Sequence, residues 1–384
     1  MAKRQVAKRQ IAKRQAAERL RVVHTESSTG WGGQEIRILT EAEGMLARGH
    51  LLMLLTPETA CIYEAARRRG IPALAIPMEK KRPRAFAAMV AWLARHARDY
   101  DVINTHSSTD TWLTALAASL LRHAPPIVRT RHVSTAVGTG WVTRWLYTRA
   151  SAHIVTTGEA LRRQLARDNG FELSRMTSVR TGIDLTRFRP MERAACRRDL
   201  GLDARAALGI VATLRDWKGH DYLLDAWARL RARFPQWQLV IVGDGPQRAR
   251  LEARTADEGL ADSVRFAGNQ DDVPLWLNSF DLFTLPSFGD EGVPQGIMQA
   301  MACGLAVVST PVGAIEEAVQ AGRTGVLVPP RDAGALADAL AALMADEPRR
   351  RAMGEAGHEY ALAHFGIDAM LDKMEAVFRE AVRG

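Results

Sequence analysis

From Arg19 onward the chain alternates short apolar runs with longer stretches whose apolar residues recur at helical spacing. RLRVVHT, LLMLLT, ALAIP, DVINTH, PIVRTR and AHIVTTG read as strands. Their apolar positions are consecutive rather than alternate, which is the pattern of a parallel sheet covered on both faces. QEIRILTEAEGMLARG, closed by Gly49, and ETACIYEAARRRG, closed by Gly70, read as helices between the first strands. The alternation weakens over residues 181–206, where Pro190 and many charges interrupt it without a β-branched run. A second series follows, with LGIVATL, WQLVIVG, SVRFAG, DLFTLPS, LAVVST and GVLVPP as strands and HDYLLDAWARLRARF and DAGALADALAALMAD among the helices. The expectation is an α/β chain of two doubly wound parallel-sheet domains facing across a cleft. The predicted divisions are a basic extension at 1–18, a first domain at 19–185, a linker at 186–206 and a second domain at 207–365. A terminal helix at 366–384 is expected to pack back on the first domain.

A length of 384 residues suits two domains, and an apolar share of 47% gives each enough material for a core. No run of eighteen apolar residues occurs, so no spanning helix is expected, and the basic N-terminus lacks the apolar centre of a secretory signal. Cys61, Cys196 and Cys303 are far apart and have no metal or redox spacing, which fits a reducing cytoplasm. The net charge of +9 is unevenly spread. Residues 1–20 carry seven Lys or Arg and one Glu, leaving +6 in that tail and +3 elsewhere. Its five-residue AKRQ repeat turns Val6, Ile11 and Ala16 onto different helix faces, so it is not an amphipathic membrane helix. Two readings stay open: a solvated extension, or peripheral contact with an anionic membrane at about 1 kcal/mol per basic residue. Nucleic acid is not the expected partner, because no aromatic residue is interleaved for base stacking.

Ligands of doubly wound sheets bind beyond the carboxyl ends of the strands, so the loops there carry the candidate chemistry. After the first strand comes Gly30-Trp31-Gly32-Gly33-Gln34, in which Gly32 and Gly33 allow close backbone approach before a helix N-terminus that favours an anion. Its spacing is neither the dinucleotide fingerprint nor a P-loop. After LGIVATL, Arg215 and Lys218 form a candidate diphosphate clamp, Arg as a planar fork and Lys as a point charge. Gly243 and Gly245 form a tight turn after WQLVIVG. After DLFTLPS comes SFGDEGVPQGIMQAMACG, with a lone acid at Glu291, Pro294 suited to the first helical position, and Gln295 and Gln299 on one helix face. In the first domain His132 and His106 stand at strand ends, and Asp110 follows His106. Either a sugar contact or loop capping accounts for His106 and Asp110. Trp31 offers a ring on which a sugar could stack.

Taken together these segments resemble a family 4 glycosyltransferase of the GT-B architecture. The resemblance rests on ATLRDWKGHDYLLDAW, LVIVGDGPQRARLE, VRFAGNQDDVPLWLNSFDLFTLPS, EGVPQGIMQAMACGLAVVSTPVGAIEEAV and GRTGVLVPPRDAGALADAL, in the family's order and spacing, with GWGGQEIRILTEAEGMLARGH near the start. It covers about residues 20–384. It implies two Rossmann-like domains and transfer of a sugar, with retention and without a metal, from a nucleotide donor to an acceptor hydroxyl. The nucleotide sugar would be a substrate rather than a cofactor, of UDP, GDP or ADP type, and the acceptor a glycan or lipid-linked molecule of the bacterial surface, such as lipopolysaccharide. The implied place of work is the cytoplasm, at the inner face of its membrane. On the matching positions Arg215 and Lys218 would stabilise the leaving diphosphate, Glu291 would contact the donor sugar, and His132 would stand near the reacting centre. Gly32, Gly33, Gly243, Gly245, Asn269, Gly292, Val293, Pro294, Gln295 and Gln299 would border the donor, with Gln299 on the ribose.

Two positions depart from the family pattern. Thr213 replaces the arginine five residues before the clamp lysine, and Gln299 replaces the second glutamate of a Glu-x7-Glu pair. A glutamine keeps an acceptor oxygen but loses the charge that strengthens a ribose bond. The alternatives to transfer are a nucleotide-sugar epimerase of the same architecture and nucleic-acid binding through the tail.

Overall fold

The computed structural model describes residues 19–132, 135–289 and 291–384; the basic extension 1–18 lies outside them. The first sheet is built from β1 (Arg21–Thr25), β2 (Leu51–Thr56), β3 (Ala73–Ala75), β4 (Val102–Thr105), β5 (Ile127–Arg131), β6 (His153–Thr156) and β7 (Met176–Ser178). All its pairings are parallel, in the order β3-β2-β1-β4-β5-β6-β7. The second sheet holds β8 (Ala206–Val211), β9 (Trp237–Val242), β10 (Val264–Gly268), β11 (Leu282–Leu285), β12 (Val307–Ser309) and β13 (Gly325–Leu327), also parallel, in the order β10-β9-β8-β11-β12-β13. Strands β4, β5, β6, β9 and β11 are buried at every position, including Arg129 and Arg131 of β5 and Gln238 of β9.

Each sheet begins in its middle and is wound outward both ways. The order therefore reverses between β1 and β4 in one domain and between β8 and β11 in the other. At these reversals the flanking crossovers diverge and leave a crevice at the strand ends. The candidate residues come from loops at these two crevices and from the strand ends beside them.

The chain passes between domains twice, side by side. Ile183 N–H donates to the Phe365 carbonyl (2.7 Å), and Ile367 N–H donates to the Ile183 carbonyl (3.2 Å). The helix Ile367–Arg383 then lies on the first domain, burying Met370, Leu371, Met374, Val377 and Phe378 among Ile38, Met45, Val128 and Val155. Leu371 fits against Gly44, where a Cβ would overlap it. Arg48 ties the same helix down through Asp368 (2.9 Å), Asp372 (2.7 Å) and Glu375 (2.8 Å).

The stretch expected as a linker belongs to the second domain. Phe188 and Leu202 enter its core, and the helix Arg193–Asp199 is fastened by Arg193 (3.0 Å) and Arg197 to Asp281. Of the charges that interrupt the alternation, Arg193 and Arg197 anchor the helix through ion pairs. The true crossing is the short run before it, around Gly182 and Ile183, where a Cβ on Gly182 would strike the Ile367 backbone.

Candidate active site

On the second-domain wall, the chain leaving β8 makes a short turn at Asp216–Lys218 and enters the helix His220–Leu230. That turn packs under the end of β11 and brings Lys218 Nζ to 2.6 Å from Glu291 Oε1. The same oxygen accepts from Ser287 Oγ (2.8 Å), so both bonds that the carboxylate makes to described side chains fall on Oε1. The Glu291 backbone is fixed by Gly313, whose φ of 59° and missing Cβ let Ala314 N–H reach the Glu291 carbonyl (2.9 Å). A side chain at 313 would be strained there and would overlap that carbonyl. Arg215 is exposed, its guanidinium 5.2 Å from the Trp217 ring. Thr213 is exposed in the same loop.

The helix Gln295–Ala302 begins one residue later than expected, and Pro294 stands before its first turn rather than in it. Gln299 is half-buried, and its amide has no partner among the described residues. Gln295 Nε2 instead donates to the Gly33 carbonyl of the first domain (3.0 Å), so the glycine loop and the helix start meet across the cleft. Gly292 also lies at this boundary, with room for a Cβ denied by Thr157. Val293 points into the second-domain core, which leaves only its backbone to a ligand. Gly243, with φ of 135°, and Gly245 lack side chains because a Cβ on either would strike the Ala212–Leu214 backbone, so packing accounts for both. Asn269 is exposed just beyond β10.

The first-domain wall is closed upon itself. Asp110 is fully buried and completes a capping box for the helix Ser108–Ser119. One carboxylate oxygen accepts from Thr25 Oγ1 (2.7 Å) and His106 N–H (3.0 Å), the other from Ser107 N–H (2.9 Å). The sugar-contact reading of Asp110 therefore gives way to capping. His106 is likewise no ligand group: Nε2 meets His24 Nδ1 (2.8 Å) and Nδ1 meets His132 Nε2 (2.9 Å). Two ring nitrogens are left without a hydrogen bond among the described residues: His24 Nε2, which is fully buried, and His132 Nδ1, on the half-buried ring at the end of β5. Burial pushes the pKa of all three histidines down, His24 to about 3. Trp31 stands exposed in the glycine loop.

Between the walls lies a cavity of about 230 Å³ lined by Gly158, Ala160, Gln164 and Arg167 of the first domain and by Glu291 and Gly313 of the second. Glu317 fastens its rim: Oε1 accepts from Ala160 N–H (2.7 Å) in the first turn of the helix Glu159–Asn169, and Oε2 pairs with Arg180 (3.3 Å).

Several of these residues escaped the sequence reading. Gln164 and Arg167 lie in the second and third turns of the helix after β6, beyond the loop to which the strand-end rule points. Ser287 and Gly313 serve Glu291 from positions with no signal beyond a small residue near a strand end. Glu26 is buried beside Asp110, accepts from Ser28 N–H (2.6 Å) and from Gln34, and has its pKa raised by burial first and by the Asp110 charge second. Among the described residues no group of three or more His, Cys, Asp or Glu surrounds a common point that could hold a metal. The Asp99–Asp101 pair is remote from the cleft, with Asp101 holding Arg21 at the start of β1 (2.6 Å).

Residues 31–187 match the family model described as Glycosyltransferase Family 4, and residues 205–346 the one described as Glycosyl transferases group 1. The lipopolysaccharide core biosynthesis mannosyltransferase LpsB of Rhizobium meliloti is 32% identical over 301 residues, spanning 76% of this chain and 83% of that protein. The chain belongs to glycosyltransferase family 4. The putative glycosyltransferase EpsF of Bacillus subtilis is 27% identical over 320 residues, covering 79% of this family 4 chain and 81% of its own. The crystal structure of Anabaena Alr3699/HepE in complex with UDP shares the fold, with a TM-score of 0.82 at 21% identity over 92% of this chain and 98% of that one. The two-sheet architecture is GT-B, and the protein is a glycosyltransferase.

Proposed function

We propose that the protein moves a sugar from a nucleoside-diphosphate donor to a hydroxyl of a cell-surface glycan or lipid-linked acceptor, with retention of configuration and without a metal. The observation that carries the site assignment is the Lys218–Glu291 pair, which sets a cation and a carboxylate side by side at the β8/β11 crevice. That polarity matches a nucleotide sugar, which presents an anionic diphosphate next to hydroxyl donors. As the glycosidic C–O bond breaks, charge grows on the diphosphate and is met by Lys218 and Arg215. Glu291 Oε2 accepts a sugar hydroxyl, the Gln299 amide meets the ribose, and His132 approaches the sugar from the first domain. A donor phosphate oxygen takes the acceptor proton, so no protein base is required. Because LpsB carries the name of a mannosyltransferase, a mannose nucleotide is the first donor to test.

The test is nucleotide release by purified protein over a panel of UDP-, GDP- and ADP-sugars with and without acceptor, repeated with Lys218→Ala and Glu291→Ala. Release that depends on acceptor, and falls at least a hundredfold in both variants, is the expected result. Near-native turnover in both removes the site assignment. Acceptor-free conversion of the sugar would instead mark an epimerase.

Peripheral membrane contact is part of the same proposal. Arg19, Arg21, Arg379 and Arg383, with Asp101 paired to Arg21, line a cavity of about 530 Å³ at the start of β1. Strand β1 runs from there toward the cleft, so this basic end tethers the molecule from the side away from the active site. Sedimentation with anionic vesicles, compared with a chain lacking residues 1–18, reads this directly.

A further inference from the structure

His24, His106 and His132 form one line across the ends of β1, β4 and β5. The ring centroids are 5.1 and 5.2 Å apart, little more than two ring radii plus a hydrogen bond, and the first two planes differ by 8°. The rings therefore meet edge to edge, nitrogen to nitrogen. At the buried end, His24 Nε2 lies 3.8 Å from Glu41 Oε1, and Glu41 Oε2 lies 3.8 Å from Arg37 Nε. All four of His24, His106, Arg37 and Glu41 are buried. At the other end the His132 backbone borders Gly292 of the cleft.

A neutral imidazole has one N–H and one lone pair, so the two N···N bonds can be made in only two ways. In one, every ring carries its proton on Nε2: His132 donates to His106, His106 to His24, and His24 points its N–H at Glu41. In the other, every ring carries it on Nδ1 and the line runs backward. An ionised Glu41 decides between them, because it attracts the His24 Nε2–H and repels a lone pair there. We propose that Glu41, acting through His24 and His106, sets the tautomer of His132, so that its Nδ1 meets a sugar hydroxyl in the cleft as a hydrogen-bond acceptor. Protonation of Glu41 adds one proton to the line, exchanges each Nε2–H for an Nδ1–H, and turns His132 from acceptor into donor. Glu41, His24 and His106 are thus positioning residues for the transfer, a role that rests on the function proposed above.

The surroundings agree with this. Asn104 Nδ2 reaches toward Glu41 (3.4 Å) while its amide oxygen accepts from Thr130 Oγ1 (2.8 Å), so it presents a donor to the carboxylate. Arg37 is held in place by the Val179 carbonyl (2.5 Å) and lies beside Met374. The helix Ile367–Arg383 offers the line only Met374 and the Phe378 edge, neither of which titrates. The charged or titratable groups facing the line are Arg37 from the helix Gly33–Ala47, Arg131 from β5, and Asp110 from the helix Ser108–Ser119, which accepts from the His106 N–H and has Glu26 beside it. Burial raises the pKa of Asp110 to about 6 and that of Glu26 to about 8, so the Glu41→Gln variant is what assigns the acid limb. Burial raises the Glu41 pKa to about 7 against the pull of Arg37, which puts the reversal within reach of ordinary buffers, while the depressed pKa values of the histidines keep them neutral.

The decisive experiment is 15N NMR of the ¹⁵N-histidine-labelled full chain, with the His132 signals assigned by His132→Asn. At pH 8.5 His132 should show a protonated Nε2 and a bare Nδ1, and at pH 5.5 the reverse. Steady-state kinetics should show kcat falling on the acid side with a midpoint near 7, set by Glu41. Glu41→Gln should remove that limb and lower kcat about tenfold with the donor KM unchanged. A bare Nε2 at pH 8.5 in the wild-type protein overturns the proposal, and so does a folded Glu41→Gln that keeps both the tautomers and the acid limb. If that variant does not fold, the wild-type spectra decide alone. The spectra need no donor, so they stand apart from any failure to find sugar transfer.

Discussion

The two walls of the cleft treat their polar side chains in opposite ways. In the first domain His24, His106 and Asp110 are buried and bonded in series, and the buried Glu26 joins Asp110 through Ser107, which donates to both. In the second, Arg215 is exposed, Gln299 has no partner among the described residues, and Lys218 and Glu291 face each other at the edge of a cavity. A buried network with its bonds already made gives shape and rigidity, whereas groups left part-solvated can exchange water for a ligand at small cost. The difference teaches that binding energy for a charged donor comes from the second wall. The first wall presents a fixed surface, bordered at the cleft by the half-buried His132.

The contrast is sharpest when one residue is removed from each wall. Lys218→Ala takes away the cation beside the leaving diphosphate and leaves Glu291 without its counter-charge. Turnover with the nucleotide sugar should fall by a factor on the order of 10²–10³, with little change in the melting temperature. Asp110→Ala should do the reverse. It strips a capping box and orphans the buried His106 N–H and the part-buried Ser107 N–H, which costs on the order of 2–4 kcal/mol of stability. Protein that remains folded should keep most of its donor affinity. Calorimetric melting beside initial rates measures both, and equal losses in the two variants would mean that the walls do not divide the work.

Much of this was legible in the residues, for physical reasons. Strands buried on both faces need consecutive apolar positions, so all but one of the described strands were read from the sequence. The exception is β7, a three-residue edge strand of Met, Thr and Ser that carries no such run. Lys218 and Glu291 were found because strand-end loops carry ligands in doubly wound sheets. Their pairing was not, since 73 residues separate them. His106 and Asp110 read alike whether they face a cleft or each other, and only burial separates the cases. Arg37 and Glu41, four apart on an amphipathic helix, look like a solvated surface pair. They are buried because the helix Ile367–Arg383 returns from the far end of the chain to cover them.

Gln299 is where the second wall departs from its family pattern, and restoring a carboxylate there should strengthen that wall alone. The glutamine amide can accept a ribose hydroxyl but brings no charge to the bond. Gln299→Glu should tighten nucleotide binding by about three- to tenfold, as charge-assisted bonds are the stronger ones. Titration calorimetry with the nucleoside diphosphate, and with the free nucleoside as the ribose-only control, separates this from an effect on the diphosphate. A gain confined to the diphosphate would move Gln299 away from the ribose.

The smallest effect is expected where the walls touch. Gln295 Nε2 donates to the Gly33 carbonyl in an exposed position, so the bond contributes only about 0.5–1.5 kcal/mol net. It joins domains whose covalent crossings at Ile183 and Gly366 lie side by side, an arrangement that permits hinge motion about that line. Gln295→Ala should therefore shift the balance toward an open cleft by a few-fold without touching the diphosphate groups. Small-angle scattering should show a larger radius of gyration for the free protein, and kcat/KM should fall about two- to fivefold. Saturating nucleotide should bring the radius back, because a ligand that binds the closed form better draws the population to it. A variant whose radius matches the wild type while kcat/KM still falls would place Gln295 on the donor itself rather than between the domains.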